Sequence, residues 1–505
     1  MTNRYYYGLF FILGVSFLLS LCFCPPFDVV LDDREIFKYA GMAILKGQVP
    51  YRDFFDHKPP LIFFINAAGL LMGGAWGLWT INTGLALLTS ALFYRRCFQY
   101  KLPFPWLLPL LFLLMIRDNL VSSGINMTRE YTTFLFILFF VVFLGRSRFR
   151  DGLMGFLAGL ILFIQQDQVF ALLPFLAYTL LAERPAAGRT RYSLMARMGF
   201  MAAGFLVVLL PFLVYFAANH ALGYFWDDSI RFNMVWYTAE HKSLGDHFRT
   251  LKKELDAGNY EMPFMIALVL GAASFFLRHK RKTLLLAALA AFFLSLAPEF
   301  MGARFNGRMV PTDFFYYCLP LAGGVCALLF VVVGYGDEAL LANKKVLLPY
   351  AFLLCASLAY TSLQHATHPV RRDTDPVINS AELAWLRQHR PGNYDLYIFN
   401  YDDYIYVYND LKILAPSRYI YQHMWDWFPG WDPDHSILRS IAAQLLQHKT
   451  AYILLDPTHM DLFANRADAA WWISFMNAYY RPLPIPGASN AILWARKQAP
   501  TPQRQ

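Results

Sequence analysis

The chain has 505 residues, of which 57% are hydrophobic, 17% aromatic and only 16% charged, and its mean hydropathy is +0.35. Soluble proteins carry about a quarter charged residues, so this composition excludes an ordinary soluble protein. Repeated long apolar runs predict a polytopic membrane protein instead. The net charge of +9 comes largely from basic residues in short loops, which needs no nucleic-acid partner to explain it.

The apolar runs predict an all-α bundle of about eleven membrane spans within residues 1–362. The first run, 5–24, lacks a small-residue cleavage site after it and is interpreted as an uncleaved anchor. A helix over 60–73 is predicted to lie near the membrane surface. The other predicted spans are 76–94, 104–120, 131–145, 152–165, 168–182, 199–218, 262–277, 283–297, 314–334 and 346–362. The six cysteines lie mostly in or beside these runs and are interpreted as packing residues.

The basic residues predict the orientation of the bundle. The second, fourth, sixth and eighth spans are each followed within a few residues by Arg or Lys, and the tenth is followed further on by Lys344 and Lys345. The positive-inside rule then places the N-terminus in the cytoplasm of a plasma (inner) membrane protein. The long polar loops and the C-terminal region are predicted to lie outside.

Residues 363–505 have the composition of a soluble domain. Helical runs at 379–390, 434–448 and 461–479 alternate with β-like runs at 394–399, 451–455 and 492–495. This alternation predicts a small α/β sandwich. None of its helices is preceded by a glycine-rich phosphate turn, so no nucleotide site is predicted in it.

A polar stretch at 31–60 separates the first two long apolar segments. Asp32 and Asp33 open it, and apolar residues then recur at helical spacing up to Gly47 and Pro50, which fit a helix end. One of the two aspartates is predicted to be the N-cap, because a helix start favours an ionised carboxylate.

The same stretch ends in Asp56-His57-Lys58-Pro59-Pro60, which predicts a second helix beginning near Pro59 or Pro60. A helix N-terminus beside the ammonium group of Lys58 is a candidate phosphate site. The alternative is a solvated loop with ordinary helix caps.

The pattern D-D … Y-A-G … G-Q-V-P-Y-R-D-F-F-D-H-K-P-P-L resembles the first outer loop, here residues 25–75, of the polytopic GT-C glycosyltransferases. The bacterial relatives of protein O-mannosyltransferases and of lipid A aminoarabinose transferases resemble it most. Asp32 and Asp33 match the acidic pair of that superfamily, and Lys58-Pro59-Pro60 its "KPP" turn. Asp33 and Arg34 depart from the usual Glu-Gly, which leaves the division of roles within the pair open.

Three further polar sites lie on the predicted outer side. Residues 126–131, N-M-T-R-E-Y, resemble an N-x-T-E-E-Y stretch of some of these transferases, with Arg129 in place of the first Glu. Glu130 has the alternatives of helix capping or pairing with Arg129. Residues 227–233 contain Asp227, Asp228 and Asn233, where ordinary capping is the alternative. Arg304 and Arg308 share a helix face and suit either a lipid-linked phosphate or lipid headgroups.

The resemblance implies a mannosyltransferase-like enzyme that takes a sugar from a polyprenyl phosphate and passes it to a glycan, lipid or protein of the cell envelope. It implies Asp32 as general base, with Asp33 orienting the acceptor or holding Mg²⁺ or Mn²⁺. Lys58, Arg52, Arg304 and Arg308 are the candidates for the donor phosphate, and Glu130, Arg129 and His57 for positioning the acceptor. The alternative from another class is a transporter or lipid flippase that uses Asp32, Glu130 and Asp167 as proton or ion carriers.

Overall fold

In the computed structural model the apolar runs form a helical bundle, and the last part of the chain forms a small sheet with helices. The structure describes residues 3–25, 33–123, 125–145, 147, 149–182, 193–237, 244–257, 260–276, 281–296, 319–335, 356, 381–399, 404–422, 431, 432, 434, 436–455, 469–487 and 492–497. Three predicted site residues, Asp32, Arg304 and Arg308, lie outside these ranges, and so does the predicted span 346–362 apart from one residue.

The bundle begins with α1 (Asn3–Leu21), α2 (Asp33–Leu45), α3 (Leu61–Gly73) and α4 (Ala75–Gln99). The predicted helix of the polar stretch is therefore confirmed as α2. Its end is also as predicted, since Gly47 follows with a φ of 86°, a left-handed conformation that glycine adopts without strain. The axes of α3 and α4 are bent by 117°, so α3 is not an extension of α4.

The rest of the bundle mixes long helices with short, interrupted ones. The chain continues through α5 (Leu107–Ser123), α6 (Thr128–Phe143), α7 (Arg150–Ile164), a 3-10 segment (Gln166–Leu172), α8 (Leu173–Ala177) and a π-helical turn (Tyr178–Ala182). It then forms α9 (Leu194–Ala218), α10 (Leu222–Phe225), two π-helical turns (Trp226–Arg231 and Asn233–Tyr237), α11 (Leu244–Ala257), α12 (Glu261–Phe276), α13 (Lys282–Leu294) and α14 (Leu319–Tyr335).

The predicted number of spans is not confirmed. Within the described residues, only α1 and α9 are long and apolar enough to cross a membrane alone, and counting the bent pair α3–α4 as one span raises the number to three. The predicted span 168–182 is helical throughout but changes type, from 3-10 to α-helix to π-helix, and Pro174 lies in the first turn of the α-helical piece. The count of eleven therefore stays a prediction.

Two helices form the centre of the bundle. Every described residue of α6 except Val142 is buried, as are all residues of α14 from Leu319 to Val332. A helix that is apolar on all sides belongs inside a large protein or a membrane. Elsewhere α7 and α9 approach so closely that a Cβ atom on Gly155 would lie 1.9 Å from the carbonyl oxygen of Met201. Small residues allow this backbone contact between membrane helices.

Hydrogen bonds and ring contacts show which loops meet at each end of the bundle. At one end the loop before α3 is bonded to residues 219 and 233, and further hydrogen bonds join α2 to residue 125, α3 to residue 126, residue 128 to 165, and residue 166 to 229. At the other end Arg96 donates to the carbonyl of Val141, and the ring of Tyr100 contacts Tyr335. Those of the predicted outer loops that the structure describes thus meet at one end, and the basic residues at the end of α4 lie at the other.

The C-terminal region adds α15 (Ala381–His389), α16 (Tyr406–Leu411), α17 (Ser436–Gln447) and α18 (Ala469–Tyr479). Its sheet contains β1 (Leu396–Phe399), β2 (Tyr452–Leu455), β3 (Tyr480–Pro482) and β4 (Ile492–Arg496), in the order β1-β2-β4-β3. β1 and β2 are parallel, and the other two pairs are antiparallel. The predicted alternation of helices and strands is confirmed, and β3 is a strand that the sequence pattern did not predict.

The sheet has two apolar faces because successive side chains of a strand point to opposite sides. In β1, Tyr397 and Phe399 belong to a core shared with α17 and α18. Leu396 and Ile398 belong instead to the large core that continues through α2, α3 and the bundle. The C-terminal domain is therefore packed directly on the end of the bundle where the polar stretch lies.

Candidate functional site

The candidate site begins at the start of α2. Asp33 is its first residue and is half-buried, whereas Arg34 is buried and its guanidinium lies within 3.5 Å of the carbonyl of Ile125. Glu35 accepts a hydrogen bond of 2.8 Å from the side chain of Asn409, in the C-terminal domain, and one of 2.6 Å from Lys38. The start of α2, where Asp33 is the first residue, is thus held between the bundle and the C-terminal domain.

Asp56 lies near the end of the polar stretch, two residues before Lys58. It is only 2% exposed, and its Oδ1 accepts a hydrogen bond of 2.7 Å from the backbone N–H of Lys58. Burial raises the pKa of Asp56 to about 7, although the N–H and the ammonium group of Lys58 oppose that rise. The negative charge of Asp33 raises the pKa further. The acidic start of α2 and the loop before α3 are therefore close enough to interact electrostatically around one buried carboxyl group.

Lys58 lies three residues before α3 and is half-buried. Its carbonyl accepts a hydrogen bond of 2.8 Å from the buried hydroxyl of Tyr51. Pro60 is the N-cap of α3, and no side chain caps this helix end. The first N–H groups of a helix have no partner within the helix, so an ammonium group beside such an end favours an anion. The predicted helix start is confirmed.

Arg52 has a carboxylate partner in the same loop. Its Nε and Nη2 each lie 2.8 Å from an oxygen of Asp53, and its Nη1 donates to the carbonyl of Asn219 at 3.0 Å. The side chain is 37% exposed. Its planar donor group could still meet a phosphate at the surface, but it would have to share its donors with Asp53 or leave it.

The segment 226–237 packs beside the loop that contains Arg52, His57 and Lys58. The side chain of Asn233 donates to the carbonyl of His57 at 2.6 Å. Asp228 is buried and forms an ion pair with Arg418 of the C-terminal domain, and burial raises its pKa to about 7 against the effect of that arginine. Asp227 instead is 58% exposed and lies 3.6 Å from Arg231. Of the two adjacent aspartates, it is Asp228 that joins the segment 226–237 to the C-terminal domain.

His57 faces this segment rather than open solvent. Its Nδ1 lies 3.9 Å from Oδ1 of Asp56, and its ring is 5.8 Å from that of Phe232. The neighbouring Phe55 is buried against Phe232 and Trp431, with ring centroids 5.6 Å and 4.9 Å away. A cluster of aromatic rings from three distant parts of the chain therefore holds the loop in place.

The second predicted pair, Arg129 and Glu130, begins α6 and is buried. Glu130 is 2.9 Å from Arg117 of α5, and its other oxygen accepts the backbone N–H of Asn126 at 2.9 Å. Arg129 lies 3.2 Å from Asp167. Thus Glu130 is enclosed in the bundle, while Arg129 lies near the 3-10 segment that contacts residues 229 and 233.

Sequence reasoning missed several residues of this region. Asp56 had a local signal, because an aspartate commonly bonds the N–H two residues later and so forms a turn. Arg117 also had one, since a charged residue inside an apolar run needs a partner. No local signal marks Arg418, because its contact with Asp228 joins residues far apart in the chain.

No group of three or more His, Cys, Asp or Glu side chains that could hold a metal ion occurs within the described ranges. The described carboxyl groups of residues 33–60 are Asp33, Glu35, Asp53 and Asp56. Of these, Glu35 pairs with Lys38, Asp53 pairs with Arg52, and Asp56 accepts from the backbone N–H of Lys58. What the described residues offer chemically is a half-buried carboxylate, Asp33, a lysine just before a helix start, and the buried carboxyl group of Asp56 beside that lysine.

Comparison with known proteins identifies the fold. No family model and no curated protein sequence matches this chain. The structure is similar to the crystal structure of ArnT from Cupriavidus metallidurans bound to undecaprenyl phosphate, with a TM-score of 0.59 and 11% sequence identity over 96% of this chain and 97% of that one. A likeness at such low identity establishes the fold and nothing finer. The chain therefore has an ArnT-like fold along nearly its whole length.

Proposed function

We propose that this protein is an integral-membrane glycosyltransferase that transfers a sugar from a polyprenyl-phosphate carrier to an acceptor hydroxyl. The observation that carries the proposal is an ArnT-like fold in which Lys58 lies just before the start of α3, with its backbone N–H bonded to the buried Asp56. The neighbouring ArnT structure was obtained with undecaprenyl phosphate bound. The acceptor is proposed to be a glycan, lipid or protein of the cell envelope.

The reaction needs a base and a site for the leaving phosphate. The acceptor oxygen forms a bond to the anomeric carbon, the bond from that carbon to the phosphate oxygen breaks, and the polyprenyl phosphate leaves with the electron pair. A carboxylate takes the proton of the acceptor hydroxyl. One displacement of this kind inverts the anomeric centre.

Lys58 is the proposed contact to the donor phosphate. Its position before the uncapped start of α3 combines an ammonium group with backbone N–H donors, and both stabilise a phosphate. Arg52 contributes if it exchanges Asp53 for the phosphate. Arg304 and Arg308, which lie outside the described ranges, are the further proposed contacts.

Asp32 is the proposed base and Asp33 its partner. Asp33 lies at the half-buried start of α2, where it can orient the acceptor or share Mg²⁺ or Mn²⁺ with the donor phosphate. Arg129 and His57 are proposed to position the acceptor. Glu130 supports them from inside the bundle through its contact with the backbone of Asn126.

The proposed orientation is N-terminus inside, with the C-terminal domain on the extracytoplasmic side of a plasma (inner) membrane. Cytoplasmic nucleotide sugars are not available on that side, which accounts for a lipid-linked donor. The basic residues at the end of α4 lie at the opposite end of the bundle from the Lys58 loop, and the positive-inside rule assigns that end to the cytoplasm.

The test is to incubate purified protein with a panel of undecaprenyl-phosphate sugars and acceptors and to measure released undecaprenyl phosphate by mass spectrometry. Asp32→Asn should lower turnover by about two to four decades, the scale of a lost general base. Asp33→Asn should cost less, and added Mg²⁺ or Mn²⁺ should restore part of it if a cation takes part. Folded Asp32→Asn protein with wild-type turnover would refute the assignment.

Donor binding is tested separately. Lys58→Ala should weaken binding of undecaprenyl phosphate by roughly one to two decades, because one charge-assisted contact contributes about 1.5–3 kcal/mol. Lys101→Ala removes the same charge at the other end of the bundle and should bind like the wild type. Movement of the lipid-linked sugar across vesicles without its cleavage would instead favour the transporter or flippase alternative.

A further inference from the structure

The backbone around Lys58 is held on both sides by side chains. Its N–H donates to Asp56 Oδ1 at 2.7 Å, and its carbonyl accepts from the hydroxyl of Tyr51 at 2.8 Å. Pro59 and Pro60 follow and restrict the chain further, because proline fixes φ and limits the residue before it. The two peptide groups of Lys58 are therefore fixed before any ligand arrives.

The preceding residues are held in the same way by distant parts of the chain. The N–H of Phe55 donates to the carbonyl of Arg418 at 2.7 Å, and the side chain of Asn233 donates to the carbonyl of His57 at 2.6 Å. These contacts tie the loop to the C-terminal domain and to the segment after α9. Within the loop itself, the side chain of Asp56 accepts the hydrogen bond from the N–H of Lys58.

The environment of Asp56 is unusual for a loop carboxylate. A surface loop can form the same turn with its carboxylate in water, whereas Asp56 is 2% exposed. Burying a carboxyl group is costly unless its oxygens accept hydrogen bonds. This buried carboxyl group lies beside Lys58, just before the start of α3.

We propose that Asp56 is a positioning residue, whose carboxylate oxygen fixes the backbone of Lys58 and thereby the place from which the lysine ammonium meets a lipid-linked phosphate. This inference rests on the proposed function for its ligand. Asp56 acts through the hydrogen bond to the backbone and not through its charge. A negative charge near Lys58 competes with a phosphate for the ammonium group, so the charge by itself would weaken anion binding.

Two variants separate the hydrogen bond from the charge. Asp56→Asn keeps an acceptor oxygen at the same place and removes the charge, whereas Asp56→Ala removes both. The matched control is Asp395→Ala, which removes a carboxylate bond of the same 2.7 Å length to the N–H of Gly392 in the C-terminal domain. If Asp56→Ala only lowered stability, it would resemble the control: both variants would be less stable, and the folded protein would keep its affinity.

The first measurement needs no ligand. Hydrogen–deuterium exchange of the Lys58 amide is followed by mass spectrometry, and this amide can be resolved because Pro59 and Pro60 have no N–H. Exchange should be slow in the wild type, in Asp56→Asn and in the control, and at least about tenfold faster in Asp56→Ala, as expected when a protecting hydrogen bond is lost. Equal exchange in Asp56→Ala and the wild type would overturn the proposal.

The second measurement is the binding of undecaprenyl phosphate by the same four proteins. The affinity of Asp56→Asn should equal or exceed that of the wild type, and that of Asp56→Ala should fall by about tenfold, as for one lost hydrogen bond at a charged site. If Asp56→Asn binds undecaprenyl phosphate as weakly as Asp56→Ala does, the charge of Asp56 is what matters and the proposal is wrong. Wild-type protein that binds no undecaprenyl phosphate would count against the proposed function, while the exchange rates would still decide the role of Asp56.

Discussion

The buried pair of Arg117 and Glu130 allows a prediction about stability. Glu130 is 0% exposed and Arg117 2%, with 2.9 Å between Oε1 and Nη1. The other oxygen of Glu130 accepts from the backbone N–H of Asn126 at 2.9 Å. Glu130→Gln keeps the size of the side chain but removes the countercharge of Arg117 and replaces one acceptor oxygen with a donor. Asn82 and Ser20 still accept from Arg117, but neither is charged.

The expected loss is about 3–5 kcal/mol in the free energy of unfolding, the cost of removing one partner of a buried ion pair. The control is Asp227→Asn, which breaks a pair with side chains 58% and 63% exposed. An exposed pair of this kind contributes about 0–1 kcal/mol. Both values are measured by SDS titration in mixed micelles, with tryptophan fluorescence as the signal.

A double variant then tests whether the loss comes from the pair. In Arg117→Met with Glu130→Gln, no uncompensated charge remains, so the combined loss should be smaller than the sum of the single losses by about 0.5–3 kcal/mol. Additive losses would refute the reasoning, and so would a single loss as small as that of the control. Turnover per folded molecule should change little in Glu130→Gln, since Glu130 supports the site only through the backbone.

Three further predictions concern packing, pH and orientation. Gly155→Val should destabilise the bundle by at least about 1–3 kcal/mol because its side chain would meet the backbone of α9, whereas Gly199→Ala, with no atom within 4 Å of the added methyl group, should change stability little. Because burial raises the pKa of Asp228 to about 7 in the folded protein, the folded state binds the proton more tightly, so stability should fall as the pH rises from about 4 to about 7. Asp228→Asn should remove that part of the pH dependence, and an unchanged titration curve would contradict the assignment. Orientation is tested with single cysteines, in a background without the native ones, at three exposed positions: Lys46, Gln388 and Arg95. The first two should react with an impermeant maleimide in intact cells and the third only after permeabilisation, and any other pattern would contradict the proposed topology.

The class of the protein and the local structure of the polar stretch could be predicted from the residues alone. The length and hydrophobicity of the apolar runs predicted a helical membrane bundle, and helical spacing between Asp33 and Gly47 predicted α2. Proline restricts its own φ and the residue before it, so the start of α3 after Lys58 was also predictable. These are local properties, since they depend on neighbours in the chain. The resemblance of the loop to GT-C transferases depended on the same residues, and the ArnT-like fold agrees with it.

Which charged groups meet depends on the tertiary fold and could not be predicted from the residues alone. The contacts of Glu130 with Arg117, of Arg129 with Asp167 and of Asp228 with Arg418 join residues that lie 13, 38 and 190 positions apart. Such pairs form because burial excludes water and a charge must then find a partner among whatever elements pack against it. Which elements pack against each other depends on how their apolar faces pair. Many different pairings are compatible with the same hydrophobic pattern in the sequence. The burial of Asp56, which raises its pKa to about 7, likewise arises from segments of the chain that come together only in the folded protein.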